Sequence, residues 1–250
     1  MISVTILVKN SEETLEATLR SVASFPEVVL LDTGSTDRTL EIGKKFANVR
    51  IFYAPFEGFG KTHNRATSLA SHDFILSLDS DEILSDELSQ EILSLSLDPE
   101  TLYSILRENY FRGKHITGCS GWHPDWVSRL YNRKRTSFDQ AEVHEKIIQG
   151  SLKKEKLKHV MTHTPYRNIS DFLHKMQNYS TLFAKQHRGI KKASLWKAIS
   201  HGAASFFKSY VLKRGVFLGQ EGFLISIYNG HTAFYKYMKL LEANRALLKK

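Results

Sequence analysis

Three carboxylates within four residues, Asp79, Asp81 and Glu82, close the apolar run Phe74-Ile75-Leu76-Ser77-Leu78. Like charges at this spacing repel, which costs stability in a plain turn. The repulsion becomes an attraction once a hard divalent cation sits between the carboxylates and brings substrate phosphates with it. The other reading of the cluster is a solvated acidic turn ahead of a helix capped by Ser85. Asp32 invites the same question, because it ends the apolar run Val28-Val29-Leu30-Leu31 before the turn residues Thr33-Gly34-Ser35-Thr36-Asp37 begin, where no cap is needed. A carboxylate there can accept an N–H from a nucleobase edge. In Phe56–Arg65, glycines and three cationic side chains enter a helix, and Lys61 could reach a phosphate beside the helix-start N–H groups.

The elements that must position these groups follow from periodicity. Ser3–Val8, Val28–Leu31, Val49–Ala54 and Phe74–Leu78 read as short buried strands. Between them, Leu15, Leu19 and Val22 recur at helical spacing, with Asn10 and Glu13 placed as a capping box. Leu40, Phe46 and Ala47 mark a second helix and Thr62–Leu69 a third. Strands alternating with helices predict βαβ units in a mostly parallel sheet. The carboxyl ends of such strands share one edge, so Asn10, Asp32 and Asp79 are expected to converge on one crevice. Neither the dinucleotide fingerprint nor the P-loop is present. A further helix is expected from Ser85, with Leu88, Ile92 and Leu93 inward, and then a strand over Leu102–Leu106.

A chain of 250 residues holds one large domain, or one domain with an appendage. The single Cys119 excludes an internal disulfide framework. No basic-then-apolar leader opens the sequence and no run approaches a bilayer span, which predicts a cytoplasmic chain. The net charge of +9 is unevenly spread: residues 1–150 carry a net of −6 and residues 151–250 a net of +15. That break predicts a catalytic domain over 1–150 and a basic, mainly helical extension over 151–250. In the extension, Phe172, Leu173, Met176 and Leu182 recur at helical spacing, as do Trp196, Ile199, Phe206 and Tyr210, and 231–248 reads as a third amphipathic helix. Basic helices bearing Trp and Phe suit an anionic membrane interface. The same stripes could instead pack on the sheet or on a second copy of the chain.

Strand–Asn10, Leu31-Asp32-Thr33-Gly34-Ser35-Thr36-Asp37, Gly60-Lys61-Thr62-His63-Asn64 and Leu78-Asp79-Ser80-Asp81-Glu82, in that order, resemble the GT-A domain of family 2 glycosyltransferases. Gly121-Trp122-His123-Pro124-Asp125, Arg129-Leu130-Tyr131 and Val143-His144-Glu145 resemble the branch that includes lipopolysaccharide core β-glycosyltransferases. That branch carries Gln-Lys-Asn where this chain has Thr62-His63-Asn64. The resemblance implies an α/β GT-A fold and an inverting, metal-dependent transfer of a hexose, such as glucose. The donor would be a nucleoside-diphosphate sugar of the UDP-sugar kind, and the acceptor a lipid-linked or phosphorylated oligosaccharide at the inner membrane face. It implies Asn10, Glu12, Asp32, Lys61, Asn64 and Asp79 at the nucleotide sugar, and Asp81 with Asp79 on Mg²⁺ or Mn²⁺. Inverting transfer needs a base to take the acceptor proton. Glu145 matches the motif, Glu142 is the reserve, and His144 is a metal ligand, a diphosphate contact or an orienting partner. Residues 109–135 are rich in aromatics, glycine and cations, and Trp122, Trp126 and Arg129 suit an acceptor sugar and its phosphates. The rival readings are a nucleotidyltransferase and a nucleic-acid-binding protein using the basic third. The acidic crevice argues against nucleic acid as a partner.

Overall fold

The computed structural model describes residues 1–140 and 145–248. Its first unit, Met1–Arg107 with Trp126–His163, is built on a sheet. Strand β1 (Ile2–Val8) pairs in parallel with β2 (Glu27–Asp32) and β4 (Phe74–Asp79), and β2 pairs in parallel with β3 (Val49–Tyr53). Beyond β4 the order continues through β8 (Asp125–Asn132), β6 (Thr101–Phe111), β9 (Lys153–His163) and β5 (Glu82–Leu84). β8 runs antiparallel to β4, and β5 antiparallel to β9. The sheet is thus mixed, parallel from β3 to β4 with antiparallel pairings beyond, and it is flanked by helices in the GT-A arrangement expected from the motifs.

Period-two burial sorts the side chains to the two faces of the sheet. Val4, Ile6, Val8, Leu30, Leu76 and Leu78 share one core with Leu15 and Leu19 of α1 (Leu15–Ser21) and Leu88 and Ile92 of α4 (Asp86–Ser94). Leu31 packs with Ala66 of α3 (Phe59–Ser68) in another cluster. In the short α2 (Thr39–Gly43), Ile42 takes the buried place, whereas Ala47 is exposed. Ser85 caps α4, accepting from Leu88 N at 3.1 Å as expected, but Leu93 points outward. The Asn10–Glu13 capping box does not form: the first helix starts at Leu15, and Asn10 Oδ1 is taken by the Thr36 N–H at 2.8 Å.

Glu27 anchors the start of the parallel strands. Its carboxylate is buried, accepts from Ser3 Oγ, from Ser71 N and Oγ at 2.8 Å each, and pairs with Arg50. Burial alone would raise its pKa, but these hydrogen bonds and Arg50 together hold it at about 2. A depressed folded-state pKa contributes stability above the unfolded value, which is lost as pH falls towards the folded value. Glu27→Gln is therefore expected to destabilise the protein by roughly 2–3 kcal/mol at neutral pH. In urea melts the gap to wild type should close as pH drops from about 5 towards 2.

The second unit comprises Glu108–Asp125 and Thr164–Lys250. In it the short β7 (Lys114–His115) pairs with the end of β6, and three helices follow: α5 (Ile169–His187), α6 (Leu195–Phe207) and α7 (Gly219–Leu248). Asn168 caps α5, in a reciprocal box with Asp171. The third helix is longer than expected and starts at Gly219. The chain thus divides differently from a single cut at residue 150. The basic run Lys153–Lys158 lies in strand β9, where Leu157 buries between exposed Lys156 and Lys158 and Met161 buries further on, so it belongs to the sheet. The aromatic, glycine- and cation-rich stretch 109–135 includes the end of β6 and all of β8.

Candidate active site

Strand register sets the crevice. Leu7 pairs with Asp79 and Val8 with Asp32, so the chain leaves β1, β2 and β4 at one sheet edge. Asp32 is buried there and serves its own turn: its carboxylate accepts from Gly34 N at 3.1 Å and Ser35 N at 3.1 Å. Gly34, at φ +107, allows the backbone to curl back over the strand end. The cap judged unnecessary from sequence is thus present, and the carboxylate keeps further acceptor capacity. Asn10 and Glu12 fasten the loop after β1 to the loop after β2. Asn10 N donates to Ser35 Oγ at 3.0 Å, and Glu12 Oε2 accepts from Arg38 N and Nε at 3.2 and 3.1 Å.

The acidic cluster is divided by two arginines. Glu82 is fully buried, its Oε2 accepting from Asp79 N at 3.0 Å and its Oε1 from Arg107 at 2.8 Å and Arg129 at 2.5 Å. Arg129 also bonds the Asp79 carboxylate, with Arg107 at 3.8 Å. Burial is the largest single influence on Asp79 and works against its charge, but Arg129 together with Arg107 and the neighbouring histidines outweighs it and holds the carboxyl well below the usual range. Glu82, the third carboxylate of the cluster, is the counter-ion of both arginines. Arg107 and Glu82 were missed because nothing in their spacing reveals an interior ion pair.

Asp81 has a different environment. Its side chain is about a third exposed, and His163 Nε2 at the end of β9 stands 3.5 Å from its Oδ2. Among the described residues no group of three or more His, Cys, Asp or Glu side chains is gathered for a metal. Asp81 and His163 offer one oxygen and one nitrogen donor, which suits a divalent cation that completes its shell with diphosphate oxygens and water. Asp79, engaged by Arg129, is a poorer ligand than expected. His163 lay outside the sequence motifs, eighty-two residues from Asp81 in the chain.

Glu145 is the described member of the expected base motif; Glu142 and His144 lie outside the described residues. The segment before it is clamped to α3. Asn64 donates to Phe138 O and accepts from Phe138 N, both at 2.9 Å, so its amide scaffolds this segment instead of being free for a nucleotide. Asp139 N donates to Lys146 O at 2.9 Å, which brings Glu145 back beside the buried His63. His63 stacks on Phe138 with centroids 4.5 Å apart, and its Nε2 lies 3.9 Å from Glu145 Oε1. Burial pushes the His63 pKa down to about 4, so the ring is neutral at pH 7. Burial, helped by the charge on Asp79, raises the Glu145 carboxyl. Lys61 stands exposed in the first turn of α3.

The expected acceptor residues separate. Trp122 is buried in the second unit's aromatic cluster with Phe111, Tyr166 and Phe172, so its ring is core rather than a sugar platform. Arg129 is consumed by Asp79 and Glu82. Trp126, on β8, stays half-buried with Lys156 Nζ 4.4 Å from its ring centre.

Residues 3–161 match the family model described as glycosyl transferase family 2. An uncharacterised glycosyltransferase of Rickettsia typhi is 28% identical, over 96% of this chain and 87% of its own. The lipopolysaccharide core biosynthesis glycosyltransferase LpsC of Rhizobium meliloti is 26% identical, over 96% of this chain and 92% of its own. Among solved structures, S. aureus TarS in complex with UDP overlays with a TM-score of 0.49 at 18% identity, covering 98% of this chain and 91% of that one.

Proposed function

The chain belongs to glycosyl transferase family 2 and is a glycosyltransferase, and we propose that it transfers a hexose, with inversion, from a nucleoside-diphosphate sugar to a lipid-linked oligosaccharide of the lipopolysaccharide-core kind. The juxtaposition of Asp32, Asp81 and Glu145 around one sheet edge carries the reading. Asp32, fixed by the Gly34 and Ser35 N–H groups, accepts from the base of the nucleotide. Lys61, in the first turn of α3, meets a phosphate. Asp81 and His163, 3.5 Å apart, would hold the Mg²⁺ or Mn²⁺. A bound divalent cation neutralises charge that builds on the departing diphosphate. Glu145 takes the proton of the attacking hydroxyl. Asp79, kept ionised by Arg129, contributes to the ribose and to the field of the crevice. The name of the Rhizobium relative supports the acceptor class.

No helix among the described residues is long and apolar enough to cross a membrane. We place the enzyme peripherally at the cytoplasmic membrane face, with the basic helices serving the acceptor, the membrane surface or a second copy of the chain. The family sets the chain among glycosyltransferases, which replaces the nucleotidyltransferase alternative.

A thermal-shift panel of nucleoside diphosphates and nucleotide sugars, with and without Mn²⁺ or Mg²⁺, tests this. A ligand at a hundredfold excess over its Kd stabilises the folded state by about 2.7 kcal/mol, a rise of several degrees at this size. The matching nucleotide should raise the midpoint more with metal than without. Asp81→Asn should remove the metal-dependent part and keep the rest. A panel in which no member moves the midpoint would refute the donor assignment.

A further inference from the structure

Helix α6 is built inside out. Its small residues, Ala198 and Gly202, face inward, and Gly202 approaches Gly230 of α7 so closely that an added Cβ would sit 3.2 Å from the Gly230 carbonyl. Its large apolar residues are left outside: Trp196 is 79% exposed, and Ile199 and Phe207, three and eleven positions on along the same stripe, are exposed too. The stripe leads into a tip made of a π-turn over Lys208–Leu212 and a 3₁₀ turn over Gly215–Leu218. There Leu212 is 64% and Phe217 80% exposed, with Lys213 and Arg214 exposed between them.

This tip is held rigidly. Cys119 N donates to Lys213 O at 2.8 Å, and Ser120 N to the buried Ser209 Oγ at 3.2 Å. Gly215 and Gly222 touch so closely that a Cβ on Gly222 would lie 1.9 Å from the Gly215 carbonyl. A fixed backbone thus holds large apolar side chains towards solvent, where soluble surfaces rarely gather them. Charge identifies the covering partner. From Phe172 to Gln220 the sequence has nine Lys and Arg and no Asp or Glu. A second copy docked on this face would set like charges against each other, because a two-fold interface presents the same patch from both sides. Phosphate-bearing lipid headgroups meet the cations, and acyl chains take Phe217 and Leu212.

We propose that the tip Lys208–Leu218 and the outer stripe of α6 seat the protein on an anionic lipid bilayer, with Phe217 and Leu212 entering the interface. This deepens the reading of a lipid-linked acceptor, and its test uses neither donor nor acceptor. A failure here therefore leaves the transfer chemistry standing, and a failure of the donor panel leaves this surface standing.

The full-length chain is sedimented with phosphatidylcholine vesicles with and without about a third phosphatidylglycerol. Wild type should sediment with the anionic vesicles and be released by salt. Removing large apolar contacts should weaken partition roughly tenfold or more in Leu212→Ser/Phe217→Ser. Lys213→Glu/Arg214→Glu should abolish the preference for anionic lipid. Both pairs are exposed, and unchanged thermal midpoints will confirm that the variants fold. Phe217→Trp supplies a direct readout, since the emission of the introduced indole should shift to the blue and be quenched by lipids with brominated chains. Wild type left in the supernatant with both vesicle types, or a Phe217→Trp emission untouched by brominated lipid, overturns the proposal. An oligomer in solution that Leu212→Ser/Phe217→Ser disperses would also overturn it, by giving the patch to a protein interface.

Discussion

Glu145→Gln is expected to reduce glycosyl transfer by about 10²–10⁴-fold, the usual contribution of a positioned general base. Donor binding, read by thermal shift with nucleoside diphosphate and metal, should be unchanged. The sign of the pH dependence follows from the geometry. A base works deprotonated, and burial raises the Glu145 carboxyl. Activity should therefore fall on acidification along a limb centred above the ordinary glutamate value of about 4.3. His63, 3.9 Å away, protonates only near pH 4, so it does not account for a limb at higher pH. In Glu145→Gln the residual rate should lose this limb. A variant that keeps both rate and limb would move the base to Glu142 or His144.

Much of this arrangement was legible because parallel-strand physics writes itself into sequence. The runs ending at Asn10, Asp32 and Asp79 are short, largely apolar and buried on both faces, and short helices between them favour parallel pairing, so three polar ends share one edge. The roles within that edge were harder to read. Asp79 and Asp81 look equivalent in sequence, yet Arg129 claims one and His163 faces the other, across sheet pairings that no local spacing records. Trp122 and Trp126 are similarly indistinct in the chain. One faces the aromatic core of its unit, and the other lies on a strand under Lys156. Composition misled at the boundary, because exposed lysines on β9 resemble those of the helices that follow. His63 gains meaning from the same logic. Where the related branch has Lys, a neutral ring stacks on Phe138, in a pocket whose burial would penalise an ammonium ion.

Glu82→Gln should be among the most destabilising single substitutions in the chain, at about 3–5 kcal/mol by urea denaturation at neutral pH. The carboxylate is fully buried, and two guanidinium groups and one backbone N–H converge on it. An amide keeps the volume but removes the charge that faces both Arg107 and Arg129. Attraction alone does not set the size of this effect. The loss is large because two largely buried guanidinium groups lose the carboxylate between them, so removing one of these cations as well should relieve part of it. Arg129→Gln on the Glu82→Gln background is therefore expected to cost less than the sum of the two single changes, with a coupling of about 1–3 kcal/mol in a double-mutant cycle. The consequence for function runs through Asp79. Without Arg129 its carboxyl loses the strongest of the charges that hold it ionised. Nucleotide-sugar affinity should then fall in Arg129→Gln even where the fold is intact, and the loss should deepen as pH falls. Strictly additive energies, or donor affinity equal to wild type at every pH, would reduce Glu82 and Arg129 to packing and detach them from the crevice they enclose.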